Sequence, residues 1–448
     1  MRKQQTVIIL SCFLMIITGI VYSISFSNDF LDDRTSMSAD EKIELTFWRN
    51  YGNSAENKAF EIIVSAFEEN YPNITINMQS IQYKDYEKRL RTELAAGNPP
   101  DIMMIDSPHL ALYVNAGALL SLDLDMRTEG NIVDIPKSTI KGLSINDEIY
   151  LAPLVESSVA LLYNKHLFHQ AGIPLPSSNP HHPLTWNEVL EISRKIRNPS
   201  TGIYGIDPVQ GFEGGEVAAY FNIPLLWQFG AEILSPDGTT ASGYLDSKEA
   251  LEALQFYQDL YFSPASSVKV PSFESGHLAM KVIGSWALDD FMKNHPHFKL
   301  GEDYEIIPMP RSKNQVVSNG GWALGISAKT KYPKEAWQFI RYVTSYEGSR
   351  TYVSITGDIP ARYSVARAFP EFNGYPKNIF LQQAQLYSRS RPVTPAYSVV
   401  SDEIRVLFEE VGQEGMDPGT SVSAAIEKIN QALQEISKYH FEHPLDMN

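Results

Sequence analysis

Between Ile43 and Ile105 the apolar residues change spacing in a strict rhythm, and that rhythm restricts the fold more than any other feature. Ile43, Leu45 and Phe47 alternate as in a strand, and the chain then turns through Asn50, Gly52 and Asn53. Phe60, Ile63, Val64 and Phe67 follow at i, i+3, i+4 and i+7, the stripe of an amphipathic helix. Pro72 ends it. Ile74, Ile76 and Met78 alternate again, Tyr86, Leu90 and Leu94 mark a second helix, and Gly97-Asn98-Pro99-Pro100 breaks it before the apolar run Ile102 to Ile105. Strand, helix, strand, helix, strand is the βαβ order of a mainly parallel sheet flanked by helices, so the fold class is α/β.

Later segments keep this mixed character. Thr185-Trp186-Asn187-Glu188 fits a capping box opening a helix to about Ile196. Leu251 with Leu254, and Ala336, Phe339, Ile340 and Val343, lie on further helices. Val422, Ala425, Ile426, Ile429, Leu433 and Ile436 make one long amphipathic face. Pro-rich stretches at 172–183 and 262–271 read as surface loops that do not divide the chain into separate beads. A chain of 448 residues exceeds one ordinary core, so two lobes sharing several crossings are expected.

Partners are limited by charge. Lys and Arg number 37 against 53 Asp and Glu, a formal net charge of -16. Nucleic acid needs a cationic face and is disfavoured as a partner, and an anionic membrane surface is disfavoured as the main one. Arg2 and Lys3 precede an apolar stretch from Val7 to Val21, the pattern that directs a chain to a membrane for export. Residues 1–27 are therefore a signal peptide, with Ser23, Ser25 and Ser27 as cleavage points, or a retained anchor. Residues 28–42 read as a polar tether. The single cysteine, Cys12, lies inside the apolar run, too early for an acylated lipoprotein cysteine, and leaves the exported part without disulfides.

In open α/β sheets ligands sit beyond the carboxyl ends of the strands. The first such end carries Trp48-Arg49-Asn50-Tyr51 and another carries Asp106. Carboxylate, amide and guanidinium groups pair with hydroxyls, and aromatic faces receive the C–H face of a pyranose. The competing assignment places Trp48 in the core and makes Asp106 a helix cap.

From Ile43 to Ser121 the chain resembles the amino-terminal lobe of family 1 extracellular solute-binding proteins, the carbohydrate group that includes maltose-binding proteins. Further blocks match in the same order: Leu151 to Glu156, Leu161 to Lys165, Thr185-Trp186, Phe273 to Gly276, Ala279-Met280, Gly284 to Ala287, Gly320 to Ser327, Lys334 to Ile340 and Gly357 to Arg362. The resemblance implies two lobes joined by three crossings, lobe I being 43–152 with 306–345 and lobe II 153–305 with 346–440. It implies hinge closure on the ligand, a monomer without cofactor, and delivery to the permease subunits of an ABC transporter at the outer face of the membrane. By position it assigns ligand contact to Glu156, to a stacking Trp286, to Tyr220 and Asn222 with Trp227 close behind, to Gly320, Gly321 and Trp322, and to Arg362. The segment after Arg391 matches poorly and no contact is carried from it.

Other classes fit less well. A glycosidase needs two flanking carboxylates, a role imaginable for Asp106 and Glu156, but nucleophile-elbow, P-loop and zinc-protease motifs are absent. His166 with His169, His181-His182, and His295 with His297 lack the companions of a metal site. A polyamine or a peptide is the alternative ligand to a sugar.

Overall fold

The computed structural model describes residues 42–207, 215–262 and 271–442. The N-terminal apolar stretch, all of the tether except Lys42, and most of the second Pro-rich loop lie outside them. The first lobe begins with β1 (Ile43–Tyr51), α1 (Ser54–Asn70), β2 (Ile74–Gln82), α2 (Tyr83–Ala95) and β3 (Ile102–Asp106). The crossing strands β4 (Ala152–Pro153) and β5 (Val155–Glu156) lead into β6 (Val159–Asn164), β7 (Tyr204–Asp207), α3 (Val217–Phe229), β8 (Leu278–Gly284), α4 (Ser285–Asn294) and β9 (Tyr304–Ile307). Next come β10 (Trp322–Ile326), α5 (Pro333–Thr344), α6 (Tyr346–Thr356) and β11 (Ile359–Pro360), and finally α7 (Tyr397–Glu409) and α8 (Pro418–Glu442).

Two sheets result. One has the order β2-β1-β3-β10-β4, the other β9-β6-β8-β7. Asn53 caps α1 by accepting from the Glu56 amide at 2.9 Å. The expected stripe of α1 then lies on the sheet, where the Phe47 and Phe339 rings are 5.3 Å apart and the Phe67 and Phe339 rings 5.1 Å. The Thr185–Glu188 capping box is formed. In the other lobe, Val422, Ala425 and Ile429 of α8 are buried in a core that also takes Val400, Ile404 and Leu407 of α7.

The two-lobe α/β architecture carries three departures from the sequence expectation. Both sheets are mixed rather than mainly parallel. β1 pairs in parallel with β2 and β3, but β10 runs antiparallel to β3 and β4, and β6 runs antiparallel to β8 and β9. The parallel rule governs strands linked by a βαβ crossover within one sheet, whereas β10 and β6 enter from the opposite lobe.

The lobe boundary expected between 305 and 306 falls inside β9, which belongs whole to the second sheet. Met309 and Val317 are still in the second core, so the chain returns to the first lobe near Gly320. Helix α6, assigned by sequence to lobe II, packs on α1, with Tyr352 5.4 Å from Phe60. Apolar spacing marks a buried face without saying which core buries it. The third crossing follows Gly357, where β11 pairs antiparallel with β5, Ile359 opposite Glu156.

Candidate functional site

A cavity of about 430 Å³ lies where the two sheets face each other across the crossings. From the first lobe, Asn50 lies one residue before the end of β1, Glu56 stands in the first turn of α1, Tyr83 opens α2, and Asp106 ends β3. Trp322 opens β10 directly opposite Asp106 in the ladder. Cavity-lining groups thus collect at or just beyond strand ends, where the backbone leaves its ladder and side chains are no longer covered by both layers.

The second lobe and the crossings supply the opposite wall. Trp286, in the first turn of α4, packs edge-on against Tyr220 with centroids 5.4 Å apart, and Phe221 lies 6.2 Å from it. Such tilted packing fixes the rings while leaving apolar surface on the cavity. The Tyr220 hydroxyl donates to Ser157 at 2.9 Å, and Ser157 donates to the Gly320 carbonyl at 2.8 Å. Gly321 is required by space: a Cβ there would lie 2.0 Å from the Val155 carbonyl oxygen.

Arg391 holds the two walls together and is 2% exposed. Its guanidinium lies 2.5 Å from Glu216 and 3.3 Å from Asp106, one partner from each lobe, and over the Tyr220 ring at 5.0 Å. Glu216 also accepts from the Tyr397 hydroxyl, and from Ser401 at 2.5 Å. Burial opposes the charge of Arg391, but Tyr397, Asp106 and Glu216 outweigh it and raise its pKa. Burial likewise raises the Asp106 carboxyl, against the pull of Arg391.

Among the described residues, the other carboxyls lining the cavity have no Lys or Arg within ion-pair distance. Burial pushes Glu156 up to about 7, the Thr139 hydroxyl that donates to it working the other way. Burial also pushes Glu56 up to about 7 despite Arg49, and Asp358 up to about 8, helped by the nearby Glu56.

Of the residues singled out from sequence, Asn50, Asp106, Glu156, Tyr220, Trp286, Gly321 and Trp322 line the cavity. The others do not. Trp48 is buried beneath α2 with Arg89 4.9 Å over its ring. Arg49 points to the other face of β1, stacked on Phe60 at 4.8 Å and bonded to Asn57. Tyr51 is half-buried at the strand end, outside the lining. Asn222 and Trp227 lie within the buried body of α3, Trp227 under the Arg389 guanidinium at 4.6 Å. Gly320 lies behind the lining, where a Cβ would meet Arg391 Nη2 at 2.5 Å. Arg362 is buried, donates to the Gly130 carbonyl at 2.9 Å and stands 3.7 Å from Asp134.

Sequence reasoning passed over Glu56, Tyr83, Ser157, Glu216, Phe221, Asp290, Asp358 and Arg391, all in the lining. Glu216 and Phe221 flank Tyr220, and Asp358 lies in the same matched block as Arg362, so position offered a hint for those three. Arg391 had none.

The profile of a family described as bacterial extracellular solute-binding protein matches residues 51–349. The chain belongs to that family. This solute-binding protein is 22% identical to the multiple sugar-binding protein of Streptococcus mutans, over 72% of this chain and 76% of that one. It is 22% identical to the maltodextrin-binding protein of Bacillus subtilis, over 84% and 87%. In structure it is similar to an ABC transporter solute-binding protein from Thermotoga lettingae bound with alpha-D-tagatose, with a TM-score of 0.76, 25% identity, and coverage of 88% of this chain and all of that one. Among the described residues no helix is long and apolar enough to cross a membrane, and no group of three His, Cys or carboxylate side chains is placed to hold a metal ion.

Proposed function

We propose that this solute-binding protein captures a small carbohydrate in the cavity between its lobes and presents it, unaltered, to the permease subunits of an ABC transporter at the outer face of the membrane. One observation carries the reading. The aromatic wall of Trp286 and Tyr220 faces carboxylate, amide and guanidinium groups across about 430 Å³, within the roughly 300–1,000 Å³ of small-ligand pockets. A pyranose needs both surfaces, one for its C–H face and one for its hydroxyls. The sugar-binding relatives support the same class of ligand. The contacts proposed are Asn50, Asp106, Glu156, Tyr220, Trp286 and Trp322.

Asn50, Asp106 and Trp322 come from one lobe, Tyr220 and Trp286 from the other, and Glu156 from a crossing. A ligand touching both lobes favours the closed arrangement by its extra affinity for that state. Titration calorimetry of the chain from residue 42 across a panel of mono- and oligosaccharides tests the reading. The expected result is saturable binding of at least one sugar, recovered unchanged, with a smaller radius of gyration at saturation. Hydrolysis of the sugar, or binding of a polyamine or peptide with no sugar bound, overturns it.

A further inference from the structure

Among the described residues the cavity is lined by six carboxyl side chains, Glu56, Asp106, Glu156, Glu216, Asp290 and Asp358, and by one Lys or Arg. That one, Arg391, is already engaged by Asp106 and Glu216. Glu56, Asp290 and Asp358 come from the first lobe, the second lobe and the third crossing, so three separate parts of the chain bring carboxyls to one cavity. Among the described residues none of the three has a Lys or Arg within ion-pair distance. The nearby Lys377 is taken by Asp289 at 2.8 Å.

A second observation points to a ligand at the same place. Asn50 is 2% exposed and lines the cavity beside Gly52, Asn53 and Glu56, yet its Oδ1 has no hydrogen-bond partner among the described residues. A buried acceptor left unpaired is uncommon because it forfeits its hydration without replacement. Neutral hydroxyls do not balance a concentration of carboxylates in a partly closed cavity. A primary ammonium does, since it brings one positive charge and three donors and has no acceptor.

From this geometry we infer that the carbohydrate is an amino sugar, its ammonium seated among Glu56, Asp290 and Asp358 with Asn50 Oδ1 accepting one of its protons. The inference rests on the carbohydrate reading above and narrows it to a charged subclass. Burial raises Glu56 to about 7 and Asp358 to about 8 in the empty protein, so near pH 7 each is only partly ionised, and an incoming ammonium displaces the protons that remain and completes the charge. Closure then brings Asp290 and Glu56, from opposite lobes, onto the same charge.

The test is calorimetry at pH 7 with glucosamine, N-acetylglucosamine and glucose, together with the β-1,4-linked dimers of each. The amine form is expected to bind at least tenfold more tightly than its acetylated counterpart, which has the same ring without the charge. In Asp290→Asn, and separately in Glu56→Gln, the ratio of amine to acetylated affinity is expected to fall toward one. Using two variants guards against a folding failure in either, checked by thermal scan. Equal or tighter binding of the acetylated or neutral sugar overturns the inference while leaving the carbohydrate reading intact. So does a preference for the amine that survives both substitutions. Binding of putrescine or spermidine without any sugar overturns the carbohydrate reading, and the amino-sugar inference with it.

Discussion

Arg391→Met is the substitution whose consequence the geometry defines best. The guanidinium is buried between Glu216 at 2.5 Å and Asp106 at 3.3 Å. Methionine has similar length and no charge, so packing is largely kept while two buried carboxyls lose their cation. Removing one partner of a buried pair costs about 3–5 kcal/mol, because the remaining charge stays desolvated. At roughly 2.1 cal/mol/K of unfolding entropy per residue, a chain of this length loses about 1.1 °C per kcal/mol, so the expected fall in Tm is roughly 3–5 °C. Without the pull of Arg391 the Asp106 carboxyl titrates further upward, so the deficit shrinks as pH falls and a proton replaces the guanidinium. Differential scanning calorimetry at about pH 5 and about pH 8 reads both effects. The triple variant Arg391→Met, Glu216→Gln, Asp106→Asn is expected to recover at least half of the loss, since no buried charge then lacks a partner. A single variant within about 1 kcal/mol of the parent, or a triple variant no better than the single, refutes the reasoning.

Trp286→Ala is expected to weaken sugar binding about tenfold, roughly 1.4 kcal/mol, with unchanged circular dichroism; calorimetry with unaltered affinity removes Trp286 from the site. Gly321→Ala is expected to destabilise the protein by about 1–3 kcal/mol, as overpacking does, because its Cβ would press on the Val155 carbonyl; a parent-like melting curve contradicts that. Glu56 and Glu156, raised to about 7, and Asp358, raised to about 8, still hold protons in the folded protein where the unfolded chain has released them. Between about pH 4.5 and pH 8 the folded state therefore binds more protons, and stability falls as pH rises. The empty protein is expected to melt at a higher temperature at about pH 5.5 than at about pH 8, with the gap narrowed in Glu56→Gln, Asp358→Asn; a Tm rising over that range refutes the assignment.

The elements from Ile43 to Asp106 were legible because each buries one face, and burial of one face writes its period into the sequence. The stripe Phe60, Ile63 and Phe67 needs no partner to be read. Which core a stripe enters is a different matter, and the assignment of α6 depends on Phe60 meeting Tyr352 almost three hundred residues away. The same limit applies to the site. Asp106 stood out because it follows an apolar strand directly. Arg391 sits in an irregular segment, and its meaning comes from carboxylates 175 and 285 residues earlier. Arg49 and Arg362 show the converse, since planar cations at promising positions turn out to satisfy Asn57 and the Gly130 carbonyl instead.

The last strand of either main sheet is β10, ending at Ile326, whereas Asp358 and Arg391 reach the cavity from beyond it. The scaffold therefore precedes its own keystone in the order of synthesis. A chain emerging from its amino end presents Asp106 and Glu216 long before the guanidinium that reconciles them, and long before Tyr397 and Ser401. The cavity wall is thus complete only once the segment through Arg391 is in place. A nascent or clipped chain ending short of Arg391 carries every strand of both sheets and yet has an unfinished grip, so it is poorly equipped to compete with intact copies for solute.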